Sequence, residues 1–510
     1  MFWGEKIVKK TVFIKNAAVL TVSSLILRFA GIVFKVWMAG AVGSEGVGLY
    51  QVIFSVYALA AAFSACGICT AVTRLVSEEL VSGSKNGIKK TMRGAFILSM
   101  AIAFVSFAVL WFGAGVFAQR ILRDSRAVLS IKTLSLSLFS LGISSNIRGY
   151  FIARRKTAPF SAVTVAEQAV RIGVAVLLVN KFKGLGLSYL CAALFIGDTA
   201  AELVCSSAMI LLYRIDINKL KLKTIKENRG YKRKIFHIAF PITAGRYLNS
   251  LLRTAENIMM PKALSYVSGN SLSLFGMIKG MALPVLFFPG ILLNSLSTLL
   301  IPEISEASVL GKKSMLKSGV ERIIILTSLM GFIFSAVFMT GGKVIGELIY
   351  KSEDVGILLV MLSPIVPLMY IDSMCDGILK GLDQQAFTFR TSILDSLLRL
   401  VLIYFIVPKY GLNGFIAIMY ISNALTCILN ISRLIKVTDA KIDYFKNLIT
   451  PLFTAFAAAV FSNLVLKSTC NFGNSVYIIL LCVFSLIIYA LGLLLFGCTS
   501  ISEFKRLISS

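Results

Sequence analysis

A single histidine, His237, serves a chain of 510 residues. One imidazole removes most zinc sites and most histidine-based acid–base constellations, and a lone histidine reads as structural. Acidic residues are scarce as well, 24 against 52 lysines and arginines, for a formal charge of +28. Long polar runs are missing: the longest connection between apolar stretches, about 214–234, leaves no room for an extramembrane catalytic domain. The nine cysteines are scattered. Cys66 and Cys69 form one C-x-x-C inside an apolar run without a second pair, and Cys470 is the only cysteine expected outside, so no disulfide framework follows. Gly311-Lys312-Lys313-Ser314 lacks the upstream glycine of a Walker A loop, which removes ATP binding by that route. No catalytic residue, metal or cofactor is expected.

What the chain has instead is apolar length. It is 57% hydrophobic and 15% charged, whereas soluble domains sit near 45–50% and about 25%. An all-α polytopic membrane protein is expected. About 20 apolar residues make one crossing, and fourteen stretches qualify: 12–40, 47–77, 94–117, 128–152, 158–180, 186–213, 235–260, 271–301, 320–341, 355–379, 386–407, 412–434, 446–466 and 475–497. The first is too long for a leader's apolar region and is read as retained.

The surplus of positive charge follows this topology. Even-numbered connections hold Lys85, Lys89, Lys90 and Arg93; Arg154, Arg155 and Lys156; the run from Arg214 to Lys234; Lys312, Lys313 and Lys317; and Arg433, Lys436, Lys441 and Lys446. Odd-numbered ones hold few, such as Lys181, Lys183, Lys262, Lys409 and Lys467, with Arg120, Arg123 and Arg126 as a small exception. By the positive-inside rule both termini are cytoplasmic in the plasma membrane, and nucleic acid is not a partner.

The chain also repeats itself. At an offset of 225, Arg28 falls on Arg253 and Glu78 on Glu303; at 228, Glu167 falls on Asp395, Arg171 on Arg399, Gly149 on Gly377 and Gly186 on Gly414. Spans 1–6 thus match spans 7–12 in the same orientation, a parallel repeat of the kind that encloses substrate at its interface. The expected organisation is an N-lobe at 1–214, a basic linker at 215–234, a C-lobe at 235–437, and an appended pair with its tail at 438–510.

A charge at the centre of a membrane helix costs roughly 2.5–3.5 kcal/mol on insertion scales, so Arg28 and Arg253 need a reason. Thr21, Ser24, Arg28, Gly31 and Lys35 share one helical face, as do Arg246, Asn249, Arg253 and Glu256, with Met260 opposite Lys35 in the repeat. Both stripes must face protein or water, and Lys279 in span 8 is expected to join them. The bland alternatives are that each arginine locks its own lobe through a buried acid and that Lys35 snorkels. Glu167 with Arg171 and Asp395 with Arg399 are spaced for intrahelical pairs. Asp198 with Glu202, and Asp372 with Asp376, mark candidate ion-coupling faces; Arg148, the repeat equivalent of Asp376, is a candidate gate residue. Pro284, Pro289, Pro364 and Pro367 are expected to break spans 8 and 10.

Gly46-Val47-Gly48-Leu49-Tyr50-Gln51, the runs LFGMIKGMALPVLFFPG (274–290) and LLIPEISEA (299–307), and LKGLDQQ (379–385) with VPKYGLNG (407–414) resemble the stage V sporulation protein B group. These are polysaccharide-type flippases of the multidrug/oligosaccharidyl-lipid/polysaccharide exporter superfamily. The resemblance implies a two-lobed transporter whose substrate is a lipid-linked glycan, a peptidoglycan precursor for the spore cortex. It further implies contact with membrane lipids and cell-wall synthesis proteins, and action as a monomer. Arg28 matches a functional arginine of related lipid II flippases, and Lys35 matches a second basic position displaced by one residue. Asp383 stands where the family pattern has glycine.

Arginine's forked donors suit a pyrophosphate, so the expected substrate-binding set is Arg28, Arg253, Arg246, Lys35, Asn249, Glu256 and Lys279. An exopolysaccharide-repeat flippase and a drug/cation antiporter are the nearest alternatives, the second wanting a carboxylate in span 1 that is not there past Glu5. A membrane glycosyltransferase would show a sizeable acidic external loop, and a non-transporting sporulation scaffold would not need buried arginines.

Overall fold

Apolar runs of twenty and more residues outlast any strand, and among the described residues the computed structural model contains helices only. It describes residues 2–220, 222, 231–290, 293, 304–306, 308, 310–441, 443, 445–469 and 473–498, without the side chains of 2–21, 65–66, 231–233 and 241–242. Glu303, Cys470, the Cys66 side chain, residues 221 and 223–230 of the linker and most of the 299–307 motif lie outside that set.

The helices are α1 (Phe2–Val81), α2 (Lys85–Val116), α3 (Ala127–Ala153), α4 (Thr157–Lys181), α5 (Leu187–Lys219), α6 (Tyr231–Leu264), α7 (Ser271–Phe275) and α8 (Leu283–Phe287). They continue with α9 (Lys313–Tyr350), α10 (Glu353–Leu362), α11 (Val366–Gly381), α12 (Gln385–Thr438), α13 (Thr450–Thr469) and α14 (Asn474–Leu495). Among the described residues ten helical segments are long and apolar enough to cross a membrane, fewer than the fourteen windows. Two of the ten are double-length. α1 runs on through Gly43 (φ 71°) and α12 through Gly411 (φ 55°), so spans 1–2 and 11–12 are each joined by one non-helical glycine. The polar-striped α6 is not among the ten, and Ser271–Phe287 is short.

The chain forms two compact units, Met1–Ile258 and Met259–Ser510. The core of the first gathers Ile68, Val72, Val76, Ile88, Met92, Ile147, Tyr150 and Met209 from α1, α2, α3 and α5, with Ile235 and Ala239 of α6. In the second, Leu329, Phe332 and Ala336 of α9 pack on Ala455, Ala458 and Ala459 of α13 and on Tyr489 and Leu493 of α14.

Backbone geometry carries the repeat that the residues suggest. Left-handed residues fall in pairs 228 positions apart: Gly83 with Gly311, Arg123 with Lys351, and Arg155 with Asp383. Each pair closes the same connection in its own half. The helices that follow are capped by serines where the next element needs one, Ser84 accepting from Gly87 N and Ser352 from Val355 N.

Proline breaks span 8 and span 10 as expected, and the freed carbonyls find donors. α7 passes through a π-turn (Gly276–Ala282) into α8, which starts around Pro284, and a 3-10 turn (Ser363–Ile365) separates α10 from α11. A proline leaves the carbonyl four residues back without its helical donor. For Pro364 that is Val360, which accepts from Ser363 Oγ at 2.8 Å; for Pro367 it is Ser363, which accepts from Ser335 Oγ at 2.8 Å. Near the break at Pro289, Tyr370 Oη donates to the Leu286 carbonyl at 2.7 Å. Without water in a bilayer these side chains are what makes the breaks tolerable.

Candidate functional site

α6 enters the first unit as an antiparallel partner of the second half of α1. Ile235 and Ala239 pack with Ile68 and Ala71. Higher up, Tyr247 meets Phe63 edge-on at 5.7 Å between ring centroids. At the far end Ser55 holds two donors: Thr254 Oγ1 gives to its carbonyl at 2.9 Å and Asn257 Nδ2 to its Oγ at 2.8 Å. Gly67 makes the approach possible, because a methyl group there would overlap the Ala239 carbonyl and the Thr243 hydroxyl.

That seam decides where the polar stripe of α6 goes. Successive residues turn by about 100° on a helix. Arg246 precedes Tyr247 and Arg253 precedes Thr254, so both arginines flank the seam instead of entering it. Arg246 and Arg253 are exposed, Asn249 is half-buried and Glu256 is buried. On span 1, Arg28 is exposed and Lys35 half-buried. Among the described residues none of the three arginines is held by a hydrogen bond or an ion pair, so no described acid locks a lobe through them. These six residues all lie in the first unit; Lys279, half-buried in the π-turn before α8, belongs to the second.

A second polar group is buried among α1, α4 and α5. Arg171 reaches Glu167 Oε1 at 2.7 Å and Gln168 Oε1 at 2.7 Å through its terminal nitrogens. Its Nε faces Asp198 Oδ1 at 2.7 Å, off the hydrogen-bond axis, so that contact is Coulombic. Tyr50 Oη donates to the other oxygen of Asp198 at 3.2 Å. Glu202, one turn further along α5, keeps a buried Oε2 without a hydrogen-bond partner and feels Glu167, Asp198, Arg171 and Arg148.

The second unit repeats this plan in part. Arg399 pairs with Asp395 at 3.0 Å and with Ser422 Oγ at 2.5 Å, and Ser422 in turn donates to Asp395. Asn430, the repeat equivalent of Glu202, donates to Asp372 at 2.8 Å, while Asp376 pairs with Lys380 at 2.5 Å. The expected i, i+4 pairs have therefore formed in both halves. Sequence spacing missed the link from Tyr50 through Asp198 to Arg171. Its one visible signal was Tyr50 standing opposite Phe275 in the repeat, a hydroxyl without a counterpart.

Residues 13–308 match the family described as polysaccharide biosynthesis protein. The chain belongs to that family. Within it, stage V sporulation protein B of Bacillus subtilis (strain 168) is 24% identical over 501 residues, covering 94% of this chain and 96% of that protein. The lipid II flippase MurJ of the same organism is 23% identical over 460 residues, covering 82% of each. Among solved structures, a lipid II flippase MurJ in an inward closed conformation superposes with a TM-score of 0.71 at 13% identity, over 93% of this chain and 98% of that one. An inward-facing multidrug resistance MATE family transporter gives 0.62 at 13% identity, over 83% and 99%. This member of the polysaccharide biosynthesis family is thus a multi-pass membrane protein with the fold shared by MurJ and MATE transporters.

Proposed function

We propose that this protein flips a lipid-linked saccharide across the plasma membrane, the lipid an undecaprenyl pyrophosphate and the saccharide a peptidoglycan precursor used for spore cortex. The supporting observation is that Arg28 of α1 and Arg246 and Arg253 of α6 stay exposed, and unpaired among the described residues. A guanidinium left without an acid at membrane depth calls for an anionic ligand. In this reading the head group meets those arginines with Lys35, Asn249, Glu256 and Lys279 around it. Alternating access of the lobes at 1–214 and 235–437 exposes it on the other side, with both termini cytoplasmic and the chain acting as a monomer. No covalent step is needed. The two stripes have diverged, Thr21 against Arg246 and Gly31 against Glu256, which suits a ligand with unlike phosphate and sugar ends.

The test is reconstitution with a fluorescent lipid II in proteoliposomes, comparing wild type with Arg28→Ala and Arg253→Ala. At least a tenfold loss of flipping is expected, with partial return in Arg28→Lys, since a point charge replaces the fork. Full activity in both alanine variants would sink the arginine mechanism. Flipping of an exopolysaccharide repeat in place of lipid II would move the substrate to that class.

Coupling to a cation is a second reading, favoured by one observation: around Glu202, three carboxylates (Glu167, Asp198, Glu202) face two guanidinium groups. Flipping that responds to neither a proton nor a sodium gradient would remove it.

A further inference from the structure

In the second unit a cavity of about 500 Å³ lies between the end of α6 and the first half of α12, with no assigned occupant. Met259, Lys262 and Tyr266 line it from one side, Tyr404, Phe405 and Lys409 from the other. Two residues beyond Lys409, α12 bends at Gly411, where a side chain would meet Val267. Two lysines line the cavity and no carboxylate does. Both are exposed, as are the rings of Tyr266 (70%), Tyr404 (65%) and Phe405 (63%). Tyrosine beside lysine at the ends of membrane helices is the composition of the head-group layer. Lys262 and Lys409 also lie on the sparsely basic side of the chain, where few other cations compete for an anion.

We propose that this cavity is a binding site for one anionic phospholipid of the phosphatidylglycerol type. The phosphate sits between Lys262 and Lys409, the glycerol head against Tyr266 and Tyr404, and the acyl chains run down Phe405 and Met259. The site is separate from the arginine stripes and does not depend on what the protein carries.

Native mass spectrometry of the full chain released from vesicles of equal phosphatidylglycerol and phosphatidylcholine tests it. Two lysines near a membrane surface give roughly a thirtyfold preference for the anionic lipid. That preference is expected in wild type, in Lys262→Arg/Lys409→Arg, and in the control Lys181→Gln/Lys183→Gln, and is lost in Lys262→Gln/Lys409→Gln. Equal retention in the last variant overturns the proposal, as does loss in the arginine pair. If the glutamine pair fails to fold, wild type alone decides. The preference should fall severalfold between about 0.05 M and about 0.5 M salt, and no change there overturns the proposal. Displacement by millimolar inorganic phosphate would assign the cavity to a free anion, and displacement by a polyprenyl phosphate to the carried lipid; either result overturns the phospholipid assignment.

Discussion

Arg155 and Asp383, 228 positions apart, share a left-handed backbone at φ 55° and φ 59°. Each follows a long helix and lets the chain turn into the next. After Asp383, Gln384 N donates to the Leu379 carbonyl at 2.9 Å. The glycine that the family pattern places at 383 is the residue this conformation favours, and aspartate is among the side chains that tolerate it.

Asp383 is therefore replaceable by glycine but not by a branched side chain. Asp383→Gly should hold thermal stability within about 0.5 kcal/mol, and Asp383→Val should lose about 1–2 kcal/mol. Intrinsic fluorescence during heating in detergent reads both. A valine variant as stable as wild type would mean that the turn has relaxed out of the left-handed region.

Arg171 and Arg399 are repeat equivalents with unequal burdens. Removing Arg171 leaves two carboxylates, Glu167 and Asp198, without their shared cation, though Asp198 keeps the Tyr50 hydroxyl; removing Arg399 leaves Asp395, which keeps the Ser422 hydroxyl. Breaking a buried ion pair costs about 3–5 kcal/mol. Arg171→Ala should thus lose most of its folded yield by fluorescence-detected size exclusion, and Arg399→Ala distinctly less. Equal losses would show that Asp198 does not depend on Arg171.

The turn before α3 carries a pH-sensitive tie. Arg126 bridges Asp124 at 2.7 Å and Glu45 at 2.7 Å, beside the bend at Gly43. Burial pushes Asp124 up, but hydrogen bonds from the Arg126 side chain and backbone outweigh it and hold the carboxyl below its ordinary value. A depressed carboxylate contributes stability that is present above its unfolded pKa of about 3.9 and is lost as pH falls through the lower folded value. Arg126 is 38% exposed, so solvent screening leaves the tie worth about 1 kcal/mol or less. Asp124→Asn should lower the unfolding midpoint at pH 7 and match wild type once the acid range protonates Asp124. A constant difference across pH would refute the tie.

Gly67 sets the distance between α1 and α6. Gly67→Ala should cost about 1–3 kcal/mol by overpacking and should loosen the Ser55 contacts of Thr254 and Asn257. A cysteine pair placed where α1 and α6 face each other near Gly67 should crosslink less efficiently in that variant. An unchanged midpoint and crosslink would mean that the helices are not held by this approach.

Much of the fold is legible in the residues, and the physics says which part. The fourteen apolar windows and the prolines of spans 8 and 10 act locally, through length and missing donors. The pairs Glu167–Arg171 and Asp395–Arg399 act within one helical turn. Tyr50 and Asp198 are 148 positions apart, and only packing of α1 on α5 joins them. The same holds for Ser55 with Thr254 and Asn257: nothing in a serine on an apolar helix announces that it will hold a second helix. The boundaries of spans 1–2 and 11–12 fall at Gly43 and Gly411, where a single non-helical glycine separates two crossings without any polar loop.

That economy at Gly43 and Gly411 reaches into how the protein can be handled. A passage made of one residue offers nothing for an antibody or a protease to grip, and an epitope spliced into it would pull two crossings apart. Tags for mapping sidedness belong at 183–186 or 266–270, where the chain already leaves its helices.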